Sequence, residues 1–94
     1  MHKYEVMFII QADLDEASTQ GVIEKVTGWI TESGGTVEKV DNWGKRQLAY
    51  RIRKQREGVY VLLHVNMPPA FSAELERNLR FLEPVLRFLI IAVD

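Results

Sequence analysis

The side chains that most often do chemistry are sparse in this chain. There are two histidines, His2 and His64, three serines, Ser18, Ser33 and Ser72, and no cysteine. The absence of cysteine excludes disulfide staples, thiolate metal sites and a cysteine nucleophile, and suits a reducing compartment. Two histidines without an H-x-x-x-H spacing do not make a metal site. His64 falls in a strand pattern on the face away from the core, where a surface or partner-contact role is favoured over a catalytic one. The serines occupy cap or helix-end contexts, where hydroxyls serve the backbone. Gly34-Gly35 has neither the spacing nor the lysine of a phosphate loop. Asp13, Asp15, Glu16, Glu24 and Glu32 read as a solvated helix face rather than a catalytic carboxylate pair. The expectation is no enzyme, no cofactor, no metal and no small-molecule substrate.

Cations carry more information. Six of the twelve basic residues lie in one window, at Lys45, Arg46, Arg51, Arg53, Lys54 and Arg56, and no acid interrupts Asn42 to Arg56. The first helical segment is acidic, with Lys25 its one cation. The net charge is −1, which argues against simple wrapping of nucleic acid. Separated charge of this kind gives faces of opposite sign. A solvated hairpin with ordinary surface lysines and arginines is the competing reading.

These residues must be placed by a small set of elements. Lys3 to Ile10 reads as a strand, with Tyr4, Val6, Phe8 and Ile10 on one face and Lys3, Glu5, Met7 and Ile9 on the other. Asp13 or Asp15 can cap a helix whose apolar stripe is Val22, Ile23, Val26, Trp29 and Ile30. Gly34-Gly35 supplies its left-handed end. Thr36 to Val40 starts a second strand, resumed at Leu48 to Ile52, with a bend or bulge near Gly44. Gln55 to Gly58 reads as a polar turn. Val59 to Met67 alternates cleanly and is closed by Pro68-Pro69, with Pro69 suited to the first turn of a helix. Phe71, Leu75, Leu79 and Leu82 mark that helix, and Pro84 is expected to stop it. Val85 to Val93 is a near-continuous apolar strand, suited to the middle or a covered part of a sheet.

The order β-α-β-β-α-β, with each helix amphipathic on one stripe, predicts an α+β, ferredoxin-like fold: a four-stranded antiparallel sheet with both helices on one face. Right-handed crossovers place the first and third strands centrally. At 94 residues, 1–94 is expected to form a single domain. Val61, Leu63, Phe8, Ile23, Val26, Ile30, Leu75 and Leu79 should form its core. The first apolar run is too short for a signal peptide and no cleavage site follows it. No apolar stretch spans a bilayer, so no membrane partner is expected.

The helix-free sheet face would carry Met7, Ile9, Tyr60, Leu62, His64 and parts of the last strand. That is too apolar for a surface meant only for water, and it points to a protein partner. An RNA-recognition motif shares this topology and stacks bases on third-strand aromatics. Glu57-Gly58-Val59-Tyr60-Val61-Leu62-Leu63-His64 lacks aromatics at that spacing, so base stacking is disfavoured. RNA contact should instead run from Lys and Arg to phosphate and sugar.

Several segments together resemble the bacterial ribosomal protein S6 family. The opening His2-Lys3-Tyr4-Glu5 is similar to the family's start. Thr36-Val37-Glu38-Lys39-Val40 through Asp41-Asn42-Trp43-Gly44 resembles its second strand. The most specific match is Trp43-Gly44-Lys45-Arg46-Gln47-Leu48-Ala49-Tyr50. Gly58-Val59-Tyr60, Met67-Pro68, Asn78-Leu79-Arg80-Phe81 and Val85-Leu86-Arg87 also fit, so the resemblance runs along the whole chain. Departures are Arg51, where many members have proline, and His2, where many have arginine. Many members also carry a charged tail, whereas this sequence ends at Asp94, so no tail-mediated contact is expected.

The resemblance implies a ferredoxin-like fold and a cytoplasmic, ribosomal location. It also implies binding to the central domain of small-subunit ribosomal RNA, together with ribosomal protein S18. The candidate RNA-binding residues are then Lys45, Arg46, Arg80 and Arg87, with Lys3, Arg53 and Arg56 secondary. The candidate partner-protein interface is Tyr50, Tyr60, Leu62 and His64. The alternatives are a small-molecule-sensing or protein-interaction domain of the same topology without RNA, and an acylphosphatase-type enzyme. The first should bring glycine-rich turns at a dimer interface. The second needs an arginine in the loop after the first strand, where Gln11-Ala12-Asp13-Leu14-Asp15 is acidic and would repel phosphate.

Overall fold

The first strand is decided by alternation: Val6, Phe8 and Ile10 are fully buried, while Lys3, Glu5 and Met7 point the other way. In the computed structural model, which describes residues 1–93, this strand is β1 (His2–Gln11). Helix α1 (Glu16–Glu32) follows. Of the two expected caps it is Asp15 that serves, its Oδ1 accepting the Ser18 N–H at 2.7 Å. The buried stripe of α1 is Val22, Ile23, Val26 and Ile30. Gly34 has φ +91°, and the Gly35 N–H donates back to the Ile30 carbonyl at 3.1 Å. A left-handed residue closing the last carbonyls is how such helices end.

Strands β2 (Thr36–Ile52) and β3 (Gln55–Met67) form a long antiparallel hairpin. The expected bulge is present: the register shifts between Asn42 and Gly44. Gly44 has φ +80°, and its N–H donates to Asn42 Oδ1 at 2.8 Å. The expected turn at Gln55–Gly58 is not. Ile52 pairs with Gln55, and the chain reverses at Arg53 and Lys54, whose φ angles are +50° and +67°. Two successive left-handed residues match the twist of a hairpin. They are usually glycine or asparagine, so Arg53-Lys54 gave no turn signal.

Helix α2 (Phe71–Arg80) buries Leu75 and Leu79. Pro69 lies just ahead of it rather than in its first turn, its carbonyl accepting the Ser72 N–H. The helix ends at Arg80, four residues ahead of Pro84, the residue whose carbonyl a proline at position 84 can neither bond nor pack against in a helix. The Pro84 carbonyl accepts the Gln11 N–H at 2.9 Å and ties the turn to β1.

Strand β4 (Val85–Ala92) pairs with β1, and the sheet order is β2-β3-β1-β4. The first and third strands are central, as right-handed crossovers require. The apolar β4 is an edge strand, not a central or covered one, and it leaves Leu89 53% and Ile91 44% exposed. One side of its run packs in the core, through Val85, Phe88 and Ile90. The other side lies on the open face, and this is why it reads as continuously apolar.

Both helices pack on one face of the sheet, giving the α+β ferredoxin-like fold. All eight expected core residues are at most 3% exposed. A second, smaller cluster of Ile9, Leu48 and Leu86, with Ile52 and Tyr60 against it, sits on the other face.

Candidate nucleic-acid interface

The site is built by the far end of the β2–β3 hairpin. The β1–β3 ladder stops at the pair Gln11–Gly58, and the hairpin continues past it. Gly58 is where the hairpin meets β1 most closely: a Cβ there would lie 2.3 Å from Ile9 Cγ2. With no side chain in the way, Leu48 and Ile52 settle on Ile9 and Leu86. The hairpin end thereby curls across the open face, toward a strand on the opposite edge of the sheet.

That curl sets three contacts. The Arg87 guanidinium lies over the Tyr50 ring, 5.2 Å from its centroid, within the range of a cation–π contact. Arg87 Nη1 also donates to the Tyr50 hydroxyl. Arg53, in the turn, donates from Nη1 to the Glu83 carbonyl at 2.6 Å. Arg53, Arg80 and Arg87 line one shallow cleft of about 250 Å³, floored by Leu79, Val85, Leu86 and Phe88. Arg80 is partly neutralised there by Glu76, Nη2 to Oε2 at 3.1 Å. Arg51 and Arg56 line a separate groove on the hairpin, with Gln47, Leu48, Ala49 and Tyr50.

The expected RNA-binding residues therefore divide. Arg53, Arg80 and Arg87 come together. Arg56 lines the separate groove on the hairpin, with Tyr50 and Arg51. Lys45 and Arg46 lie further along edge strand β2, opposite Val59 and Gly58, with Arg46 Nε donating to the Trp43 carbonyl at 3.2 Å. Lys3 is elsewhere: it pairs with Asn66 and lines a depression with Glu5, Glu38 and His64.

The expected partner-contact residues divide too. Tyr60 faces a concavity of about 530 Å³ with Met7, Ile9, Arg87, Phe88 and Leu89. Leu62 follows it on the same face, by strand alternation. Tyr50 belongs to the basic end. His64 is half-buried between two carboxylates, with Nδ1 3.7 Å from Glu5 Oε2 and Nε2 3.4 Å from Asp41 Oδ2. The open face is thus apolar toward the hairpin end and charged toward Lys3. Sequence reasoning passed over Glu5 and Asp41. Once β1 and β3 are paired in register, Glu5 falls opposite His64; Asp41 comes into reach only when β2 is also registered on β3.

Among the described residues, no group of three or more histidines and carboxylates is placed to hold a metal ion. No helix among them is long and apolar enough to cross a membrane. The arrangement can offer a phosphate backbone oriented guanidinium groups, and a protein an apolar sheet face.

Comparison with known proteins points the same way. The family model described as Ribosomal protein S6 matches residues 3–92. The chain is 47% identical to the small ribosomal subunit protein bS6 of Moorella thermoacetica, covering 100% of this chain and 96% of that one. It is also 47% identical to the protein of that name from Caldanaerobacter subterraneus subsp. tengcongensis, over 100% and 99% of the two chains. Among solved structures, 30S ribosomal protein S6 from Thermotoga maritima superposes with a TM-score of 0.92 at 30% identity, covering 98% of this chain and 87% of that one.

Proposed function

The chain belongs to the ribosomal protein S6 family, and from that premise we propose that its cationic hairpin end meets ribosomal RNA while its open sheet face meets ribosomal protein S18. As a member of that family it is a non-enzymatic, structural protein of the small ribosomal subunit that takes part in ribosomal RNA binding, in the cytoplasm. It acts as one domain spanning 1–94.

Arg53, Arg80 and Arg87 form the centre of the RNA contact, with Lys45, Arg46 and Arg56 along the hairpin. Lys3 stands apart among carboxylates and is left out. The observation that carries this reading is the cleft shared by Arg53, Arg80 and Arg87. Arg53 is distant in sequence from the other two, and the three come from the hairpin turn, the end of α2 and the start of β4. Guanidinium groups gathered in this way position a phosphate backbone without reading its bases. Tyr60 and Leu62, with Met7, Ile9 and Leu89, form the surface for S18. An apolar concavity beside an unpaired strand edge suits a protein partner better than it suits water.

The test is binding of a small-subunit ribosomal RNA fragment, with and without S18, at several salt concentrations. Tight binding should need both proteins and should weaken as salt rises. Tight, salt-insensitive binding of arbitrary RNA by the chain alone would refute the reading.

A further inference from the structure

We propose that Tyr50 is the positioning residue for Arg87: it holds the guanidinium ready for a phosphate and does not itself contact RNA. The inference rests on the reading that Arg87 meets phosphate, and it adds the group that orients it.

The geometry is specific. Tyr50 and Arg87 are 37 residues apart and come from β2 and β4, the two outer strands of the sheet. They meet only because the hairpin curls over the open face. The contact has two parts, the ring under the guanidinium at 5.2 Å and the hydroxyl accepting from Nη1. Together they fix both the plane and the rotation of a side chain that is otherwise free on an edge strand.

The two neighbouring arginines are held differently. Arg80 is ion-paired with Glu76, which partly offsets its field. Arg53 gives an N–H to the Glu83 carbonyl. Arg87 has no carboxylate partner among the described residues, so it keeps its full charge. An aromatic ring and a neutral hydroxyl orient a cation without neutralising it. Arginine carries five N–H donors, and the hydroxyl engages one of its nitrogens, so the rest stay available to phosphate oxygens. Orienting the side chain in advance removes most of the ordering cost of binding. Tyr50 is itself 58% exposed, and the fold does not need it for burial.

The experiment measures affinity for the ribosomal RNA fragment, with S18 saturating, across a salt series for Tyr50→Ala, Tyr50→Phe, Arg87→Ala and Tyr50→Ala/Arg87→Ala. S18 association and the thermal midpoint are followed in parallel. Tyr50→Ala should weaken RNA binding by about three- to tenfold, the size of an aromatic–cation contact expressed as affinity. Tyr50→Phe keeps the ring and should lose less. The double variant should bind no worse than Arg87→Ala, because Tyr50 has nothing left to position. For Tyr50→Ala and Tyr50→Phe, S18 association and the midpoint should stay close to those of the unaltered chain. If Arg87→Ala weakens binding and Tyr50→Ala does not, the positioning role is refuted and the RNA reading stands. If the two losses add in full, Tyr50 acts on RNA directly and the inference fails. A loss confined to S18 association also overturns it. If Arg87→Ala changes nothing, the assignment of Arg87 to phosphate fails, and the inference with it.

Discussion

Gly58 offers a test of the packing that brings the hairpin over the sheet. Its substitution by alanine would put a Cβ 2.3 Å from Ile9 Cγ2. The other near atoms, the Ile10 carbonyl oxygen at 3.4 Å and Leu48 Cδ2 at 3.5 Å, are ordinary contacts. The clash is therefore with one methyl, and it must be relieved by more than 1 Å of movement, since 3.4 Å is where ordinary contact begins. Ile9 is β-branched, stiff at χ1, and wedged against Leu48 and Leu86. The hairpin has to shift instead. Overpacking of this kind costs about 1–3 kcal/mol. Reduced freedom of the unfolded chain returns about 0.4–1 kcal/mol, which leaves a net loss between about 0 and 2.6 kcal/mol, centred near 1. Gly58 has no positive φ, so backbone strain adds nothing. The assay is urea denaturation of Gly58→Ala, Ile9→Ala and the double variant. Ile9→Ala removes the clashing methyl, so the double variant should be more stable than the sum of the single losses predicts, by about 0.5–3 kcal/mol. Strictly additive losses would refute the close approach as the cause of the curl.

Leu75, fully buried between α2 and the sheet, should lose about 2–5 kcal/mol as alanine, read as a lower urea midpoint; an unchanged midpoint would misplace α2. Asp15 should show pH linkage. The Ser18 N–H holds its carboxyl below the ordinary 3.8, so its contribution is fully present above that value and is lost as pH falls through the lower folded value. Asp15→Ala should therefore lower the thermal midpoint at neutral pH, and the difference should shrink in acid; a constant difference would sink the cap assignment. Arg87→Ala, with S18 present, should flatten the log–log salt slope for RNA by about 0.7–0.9. If three phosphates are engaged, raising salt from about 50 to 200 mM weakens the unaltered chain by roughly 20–40-fold and the variant by roughly 7–12-fold; identical slopes would remove Arg87 from the phosphate contact.

The parts of the fold that follow local rules were legible. From Val59 to Met67 every second residue is apolar, and β3 buries Val61, Leu63, Val65 and Met67 as that pattern demands. Gly44 announced a bulge because few other residues accept its backbone angle. Arg53-Lys54 was illegible for the opposite reason: both residues take left-handed angles against their preference, held by the strand twist and by the Arg53 bond to Glu83. Strand β4 misled because an apolar run does not itself tell a central strand from an edge strand with one side on the open face. Arg80 and Arg87 could be singled out from their place at the turn into the last strand. Their meeting with Arg53, and the Tyr50 contact, needed the curl of the hairpin, which depends on Gly58, Ile9, Leu48 and Leu86 acting together. The Glu5–His64–Asp41 cluster needed register across three strands, and no local pattern carries register.

The curl also accounts for how a chain of net charge −1 can work on RNA. Spread evenly, so small a charge would give no attraction to a polyanion. Here the cations are collected at one end by the hairpin turn, the α2 terminus and the start of β4, while five of the thirteen acids lie between Asp13 and Glu32. The attraction is then local, and beyond about 8–10 Å at physiological salt it is screened. Such a patch cannot hold arbitrary RNA tightly, because few counterions are released per complex. It can add affinity once a second protein, seated on the adjoining apolar face, fixes the RNA within reach. The shared placement of Arg87, which lines both the basic cleft and the apolar concavity, makes the two surfaces contiguous. Binding of the protein partner and binding of the RNA should therefore each strengthen the other by the same factor, as linkage requires.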